Sequence, residues 1–234
     1  MDINVQSILD THQTEQRTEE WYNLRHNMIT ASDVATALGV NKYQSVNSLI
    51  KKKTLPTTSS SGNSCATLHG NKYEDEARLL FNKRFKLESW EIGLFQHPEI
   101  KWLGGSPDGI ASDGNLIEIK CPVTREITHD IPVHYYPQVQ ICMEILDRPA
   151  CYFIQYKPPN CFQNGLLDIK IIKRDKEWFS ENIIILEKFW NKVLFCREYG
   201  YCKFDPKKII DLTNLDLPVL KSIDYDSNSD DENE

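Results

Sequence analysis

The sequence predicts an α/β fold, and three observations predict it. Segments of helical spacing at 68–85, 134–146 and 175–194 alternate with apolar runs at 116–119, 150–156 and 166–172 that are too short for helices. Asp113-Gly114-Asn115 is a turn signal between two extended segments close enough to pair as a hairpin. The run 150–156 is apolar throughout, as a strand covered on both faces must be. With 234 residues and 40% hydrophobic content the chain can bury one sizeable core. A single domain over residues 1–223 is therefore expected, with its core at about 18–200.

The net charge of -7 is a property of the tail. Six of the 34 acidic residues lie from Asp224 onward, leaving 28 against 27 basic residues in the body. The segment 224–234 reads as a disordered acidic tail. A near-neutral body does not advertise nucleic-acid binding by bulk charge, so such binding has to rest on local patches such as Lys51-Lys52-Lys53. The seven cysteines are odd in number, scattered and without Cys-x-x-Cys spacing, which points to a reducing compartment rather than a disulfide framework or an iron–sulfur cluster. No stretch approaches a membrane span, and Met1 to Glu20 does not read as a signal peptide. A soluble intracellular protein, cytoplasmic or nuclear and with no membrane partner, is the expectation.

In chain order, residues 1–17 are polar apart from Ile3, Val5, Ile8 and Leu9 and read as an arm or short helix. Thr18 can cap a helix with Glu19 and Glu20 in its first turn and Trp21 and Leu24 as apolar positions, ending near Arg25. From Met28 to Gly39, Thr30 or Ser32 is a natural N-cap and Gly39 a natural stop. Arg25 and Ser32 together could grip a terminal phosphate at that helix start, or Ser32 could simply cap while Arg25 pairs with a surface carboxylate. A short helix, Val46 to Lys53, leads into the low-complexity loop Thr54–Ser64, either a mobile flap or a tolerated insertion. The 68–85 helix carries a stripe of Tyr73, Ala77, Leu80, Phe81 and Arg84, with Glu74 at its margin. Glu74 could help hold water at a metal, or pair with Arg78 at i+4. Trp90–Phe95 and Ile100–Leu103 read as strands.

Those strands lead into the hairpin, Gly104 to Pro122. If Leu116–Ile119 is a strand, Leu116, Glu118 and Lys120 share one face and Ile117 and Ile119 the other. The two charges would then sit at a polar sheet edge. A three-residue loop with Asn115 left-handed puts Ser112 opposite Leu116 and Asp108 opposite Lys120, so that Asp108 is diagonal to Glu118 on its face. Two carboxylates at that separation can share an ion, and oxygen ligands without sulfur or imidazole suit Mg²⁺ or Mn²⁺. A lysine beside them can orient water and offset charge on a phosphoryl oxygen. The plainer alternative for Glu118-Ile119-Lys120 is a solvated charge pair on a strand. Gly104, Gly105, Pro107 and Gly109 favour the site, because they permit close backbone approach and stiffen the chain before the aspartate.

After a connector to Pro132, the helix from about His134 to Leu146 has Val139, Cys142, Met143 and Leu146 inside and Gln140, Glu144 and Asp147 outside. Gln138 falls beside Tyr135 and Cys142, where it needs a backbone partner or a catalytic water. Strands at 150–156 and 166–172 follow. Asp175 then caps a last helix, whose broad apolar face should cover the sheet. Residues 203–223 would pack peripherally, if at all.

Five blocks in this order resemble the phage lambda exonuclease type of viral recombination nucleases, within the PD-(D/E)xK superfamily. They are Leu24-Arg25 with Ile29-Thr30-Ala31-Ser32; Gly70-Asn71-Lys72-Tyr73-Glu74; Ser106-Pro107-Asp108-Gly109; Leu116-Ile117-Glu118-Ile119-Lys120-Cys121-Pro122; and Tyr135 with Gln138-Val139-Gln140. They span about residues 18–157 and are individually weak. The resemblance implies a restriction-endonuclease-like core, a central mixed β-sheet flanked by helices. It implies Asp108 and Glu118 as metal ligands with the Ile119 carbonyl as a third, and Lys120 as the catalytic lysine. Glu74 would act through water, Gln138 would position the nucleophile, and Arg25, Ser32 and Ser106 would hold a 5′-phosphate. The implied reaction is Mg²⁺-dependent 5′→3′ removal of one strand from double-stranded DNA ends. A single-strand annealing protein is the implied partner and a homotrimer the implied assembly. A structure- or sequence-specific endonuclease of the same superfamily and a non-catalytic DNA-end-binding module are the alternatives.

Overall fold

The computed structural model describes residues 3–11, 14, 16, 18–55, 65–161 and 164–200. Helix α1 (Ile3–Asp10) docks on the core through Val5, which is fully buried. Thr18 accepts from the Trp21 N–H and caps α2 (Glu19–His26), as its sequence predicts, but neither Trp21 nor Leu24 is buried. Strand β1 (Ile29–Thr30) runs straight into α3 (Ala31–Ala37), for which Thr30 is the N-cap; Gly39, at φ +76°, ends it. Helix α4 (Val46–Thr54) follows, capped by Ser45. The predicted loop Thr54–Ser64 falls largely on 56–64, outside the described residues, as do 203–223 and the acidic tail.

Helix α5 (Cys65–Phe85) buries Ala77, Arg78 and Phe81, whereas Leu80 and Arg84 of the predicted stripe face solvent. The two strands expected at 90–95 and 100–103 are three short ones, β2 (Ser89–Trp90), β3 (Phe95–Gln96) and β4 (Leu103–Gly105). The hairpin is β5 (Gly109–Ala111) and β6 (Leu116–Lys120). Helix α6 (Tyr136–Ile145), strands β7 (Ala150–Lys157) and β8 (Leu166–Lys173), and α7 (Lys176–Tyr199), capped by Asp175, complete the order.

The strands form two sheets among the described residues, one in the order β1-β4-β3 and a five-stranded one in the order β2-β5-β6-β7-β8. In the larger sheet β6 and β7 are parallel and the other pairings antiparallel, so it is mixed. Period-two alternation along β6 and β7 sorts their side chains onto two faces. Ile117, Ile119, Tyr152, Ile154 and Tyr156 pack with Ala77 and Phe81 of α5. Leu116, Cys151 and Phe153 join the larger core with α3, α6 and α7. Helix α7 packs mainly on α4, α3 and α6, so it covers helices rather than the sheet directly. That extra layer explains a second difference. Gln140, expected on the wet side of α6, is 1% exposed because α6 lies between layers; it donates to the Lys173 carbonyl and accepts from the Asp175 N–H.

The hairpin register differs from the predicted one by two residues. Ile110 lies opposite Leu116 and Gly109 opposite Ile117, and Gly114 rather than Asn115 takes the left-handed conformation, at φ +88°. The side-chain period of a strand is two, so this shift leaves every side chain on its predicted face. Gly109 is required there. A Cβ on it would stand 2.4 Å from Arg78 Nη1 and 2.7 Å from the Trp90 carbonyl oxygen, and the carbonyl cannot step aside. Gly109→Ala is accordingly expected to cost about 1–3 kcal/mol, the range for overpacking, read as a lowered midpoint in urea denaturation.

Candidate active site

The register carries Asp108, one residue before β5, towards Glu118 at the centre of β6. Asp108 Oδ2 accepts from the Ile119 N–H at 2.6 Å, which ties it to that strand. Glu118 and Lys120 form an ion pair on the same face. Gln138 reaches in from α6, its Nε2 donating to Glu118 Oε1 at 2.5 Å. Glu118 Oε2 is buried and has no partner.

The expected polar sheet edge is overturned by this arrangement. Strand β6 lies between β5 and β7, α6 packs over the face in question, and Glu118 is 1% exposed. Burial therefore pushes the Glu118 carboxyl well above the usual carboxylate range, and the charge on Asp108 adds to the effect while Lys120 opposes it. Burial alone would push the Lys120 ammonium down, but the charges of Glu118 and Asp108 outweigh it and raise the group. Buried beside a second carboxylate and with one oxygen unpartnered, Glu118 disfavours its own ionised state, and a cation would relieve it.

Behind this pair stands α5. Glu74 pairs with Arg78 at 3.3 Å, and its charge also raises the Glu118 carboxyl. Both readings of Glu74 are thus compatible with its position. Arg78, considered from sequence only as a partner for Glu74, also donates through Nη2 to the Asp108 carbonyl at 2.8 Å. It ties α5 to the aspartate, and its place beside Ala77 on the buried stripe was the available signal.

The three predicted phosphate-site residues gather around β1 and β4. These strands run parallel with Thr30 beside Gly104; Ser32 lies two residues further on, in α3, and Ser106 one residue past the end of β4. Arg25 Nη2 donates to Ser32 Oγ at 2.9 Å, and its guanidinium lies over the Trp21 ring, 4.2 Å from the centroid. Ser106 Oγ is buried without a partner. Cys142 touches the Gly105 backbone region, and its thiol is raised first by burial, then by Glu118 and Asp108, with Lys120 and Arg25 opposing. The charges of Arg25 and of the carboxylate pair thus act on one thiol.

Two residues that sequence reasoning missed hold Arg25 in place. Asp33 Oδ2 accepts from the Thr30 hydroxyl at 2.6 Å and pairs with Lys53 at 2.7 Å. Lys53 also donates to the carbonyls of Arg25, at 2.6 Å, and Met28, at 2.8 Å. Lys53 is 3% exposed, so it is no part of the basic surface patch assigned to Lys51–Lys53. Burial opposes ionisation of Asp33, but Lys53 and Arg25 prevail and hold its pKa at about 2. Lys53 is itself lowered, because its own desolvation outweighs the attraction of Asp33; the carboxylate is the partner that gains.

Residues 20–148 match the family described as the YqaJ-like viral recombinase domain. The crystal structure of an alkaline exonuclease from Laribacter hongkongensis superposes with a TM-score of 0.65 at 29% identity, covering 80% of this chain and 97% of that one. Its complex with dAMP matches at 30% identity with the same coverage. An uncharacterized protein of Acanthamoeba polyphaga mimivirus is 32% identical over 166 residues, 62% of this chain and 30% of its own length. A protein of African swine fever virus is 27% identical over 157 residues, 54% of this chain and 45% of its own. The chain therefore spans less than half the length of these curated viral relatives. No helix among the described residues is long and apolar enough to cross a membrane.

Proposed function

The chain belongs to the YqaJ-like viral recombinase family and carries a nuclease domain, and from that premise we propose that it is a 5′→3′ exonuclease. It degrades one strand of linear double-stranded DNA from a 5′-phosphorylated end, with Mg²⁺ as cofactor and Mn²⁺ able to substitute. The observation that carries this reading is the unpartnered, buried Glu118 Oε2 beside Asp108 and Lys120. The residues fit a hard divalent ion: two carboxylates and the Ile119 carbonyl would hold it, with solvent completing a set that contains no soft donor. When bound, such an ion stabilises charge on the reacting phosphate and acidifies water.

The rest of the chemistry falls to the chain's own groups. Lys120 places an ammonium where negative charge builds on the phosphoryl oxygens. Gln138, by donating to Oε1, fixes the carboxylate of Glu118 so that Oε2 stays committed to the reaction centre. The Ile119 N–H does the same for the Asp108 carboxylate, and Arg78 holds the backbone that carries it. Arg25, Ser32 and Ser106 take the terminal 5′-phosphate and so set how far the end enters. Water attacks phosphorus and the bond to the 3′-oxygen of the departing nucleotide breaks. The remaining strand is left with a fresh 5′-phosphate, ready for the same pocket. The dAMP complex of the similar exonuclease supports a mononucleotide product. The proposal extends to a single-strand annealing protein that takes over the exposed strand, and to a homotrimer.

The test is digestion of a linear duplex labelled at either end, phosphorylated or not, beside the same DNA as a closed circle. Mononucleotide release from 5′-phosphorylated ends, abolished by chelating the metal, is expected. In Arg25→Ala the advantage of a phosphorylated end should fall about tenfold or more, the weight of a charge-assisted hydrogen bond. Comparable cutting of the closed circle, or release that starts at 3′ ends, would overturn the assignment.

A further inference from the structure

We propose that Tyr43, His134 and Tyr135 form a stacking platform for nucleobases of the strand being cut, an inference that rests on the nuclease reading and names the part of the substrate this surface holds. The rings form a continuous row that ends at the reaction centre. Tyr43 meets His134 edge to face with centroids 5.4 Å apart, and His134 meets Tyr135 at 4.1 Å. Lys120 Nζ lies 5.1 Å from the Tyr135 centroid. The outer end is open, with Tyr43 68% exposed.

An exposed tyrosine alone is ordinary, but the backbone that carries this one is anchored. The Tyr43 N–H donates to Asn41 Oδ1 at 2.9 Å, and Asn41 Nδ2 donates to Thr36 Oγ1 at 2.8 Å. The Val40 and Asn41 N–H groups both donate to the Ala35 carbonyl. The loop is thus tied to α3, the helix that also carries Ser32, so the platform and the phosphate pocket are fixed to one element. Cations flank the row: Lys42 lies over the Tyr43 ring and Lys120 over the Tyr135 ring, each 5.1 Å from the centroid. Desolvation first, then the charges of Lys42, Arg125 and Lys120, hold His134 below its ordinary pKa. Rings interleaved with cations are what a single strand needs: faces for its bases and charge for its backbone.

The experiment uses the full chain and duplexes with three unpaired nucleotides at the end to be cut, made with or without bases at those positions, so that pairing is absent from both. Wild type is expected to cut the base-bearing end about tenfold more efficiently, as loss of one stacked base predicts. That gap should collapse in Tyr43→Ala and survive in Tyr43→Trp. If wild type cuts both ends equally, or Tyr43→Ala keeps the gap, the platform is overturned and the nuclease stands. A wild-type chain that cuts no DNA overturns both.

Discussion

Lys120→Ala is expected to slow DNA hydrolysis by about 10²–10³-fold, the usual consequence of removing one preorganised group that meets charge in the transition state. Binding of duplex ends should persist, because Arg25, Ser32 and Ser106 lie around β1 and β4 rather than on β6. Single-turnover rates and end-binding affinity, measured together, separate the two. Lys120 is paired with Glu118, which Gln138 still contacts, so retention of the wild-type circular dichroism spectrum is the needed control. A variant that keeps the full rate would remove Lys120 from the reaction.

The second large effect concerns stability. Lys53→Met leaves Asp33 charged and deeply buried and should cost about 3–5 kcal/mol, whereas Asp33→Asn combined with Lys53→Met should recover most of that loss. Urea denaturation of the single and double variants forms the cycle. The same pair predicts an acid limit. Asp33 has a folded pKa of about 2, below its unfolded value near 3.8, so its stabilisation is complete above about pH 4 and is lost as pH falls towards 2. The loss is about 2 kcal/mol, and it should vanish in the double variant.

What the sequence made legible, and what it hid, divides along a physical line. The hairpin and the shared face of Asp108, Glu118 and Lys120 were legible because turn residues and period-two alternation are local properties. Register was not, since Asp113-Gly114-Asn115 accommodates more than one loop length; the two-residue difference was harmless because faces repeat every two. The burial of Glu118 was illegible for a different reason. What covers a strand face is decided by α6, which begins sixteen residues after β6 ends and whose own Gln140 was misread for want of knowing the layer behind it. Lys53 and Asp33 meet across twenty residues of chain, so the triple lysine looked like a surface patch. The family blocks implied a phosphate role for Arg25 and Ser32; the ion pair that braces Arg25 has no local signature.

Arg197, near the end of α7, donates to the carbonyls of His26, at 2.7 Å, and Lys53, at 2.8 Å, and to Asn27 Oδ1 at 3.1 Å. The turn that follows Arg25 is therefore fastened by a residue translated about 170 positions later. On the ribosome the strands and the carboxylates they carry are made before this helix, and the turn after Arg25 gains these bonds only once residue 197 has emerged.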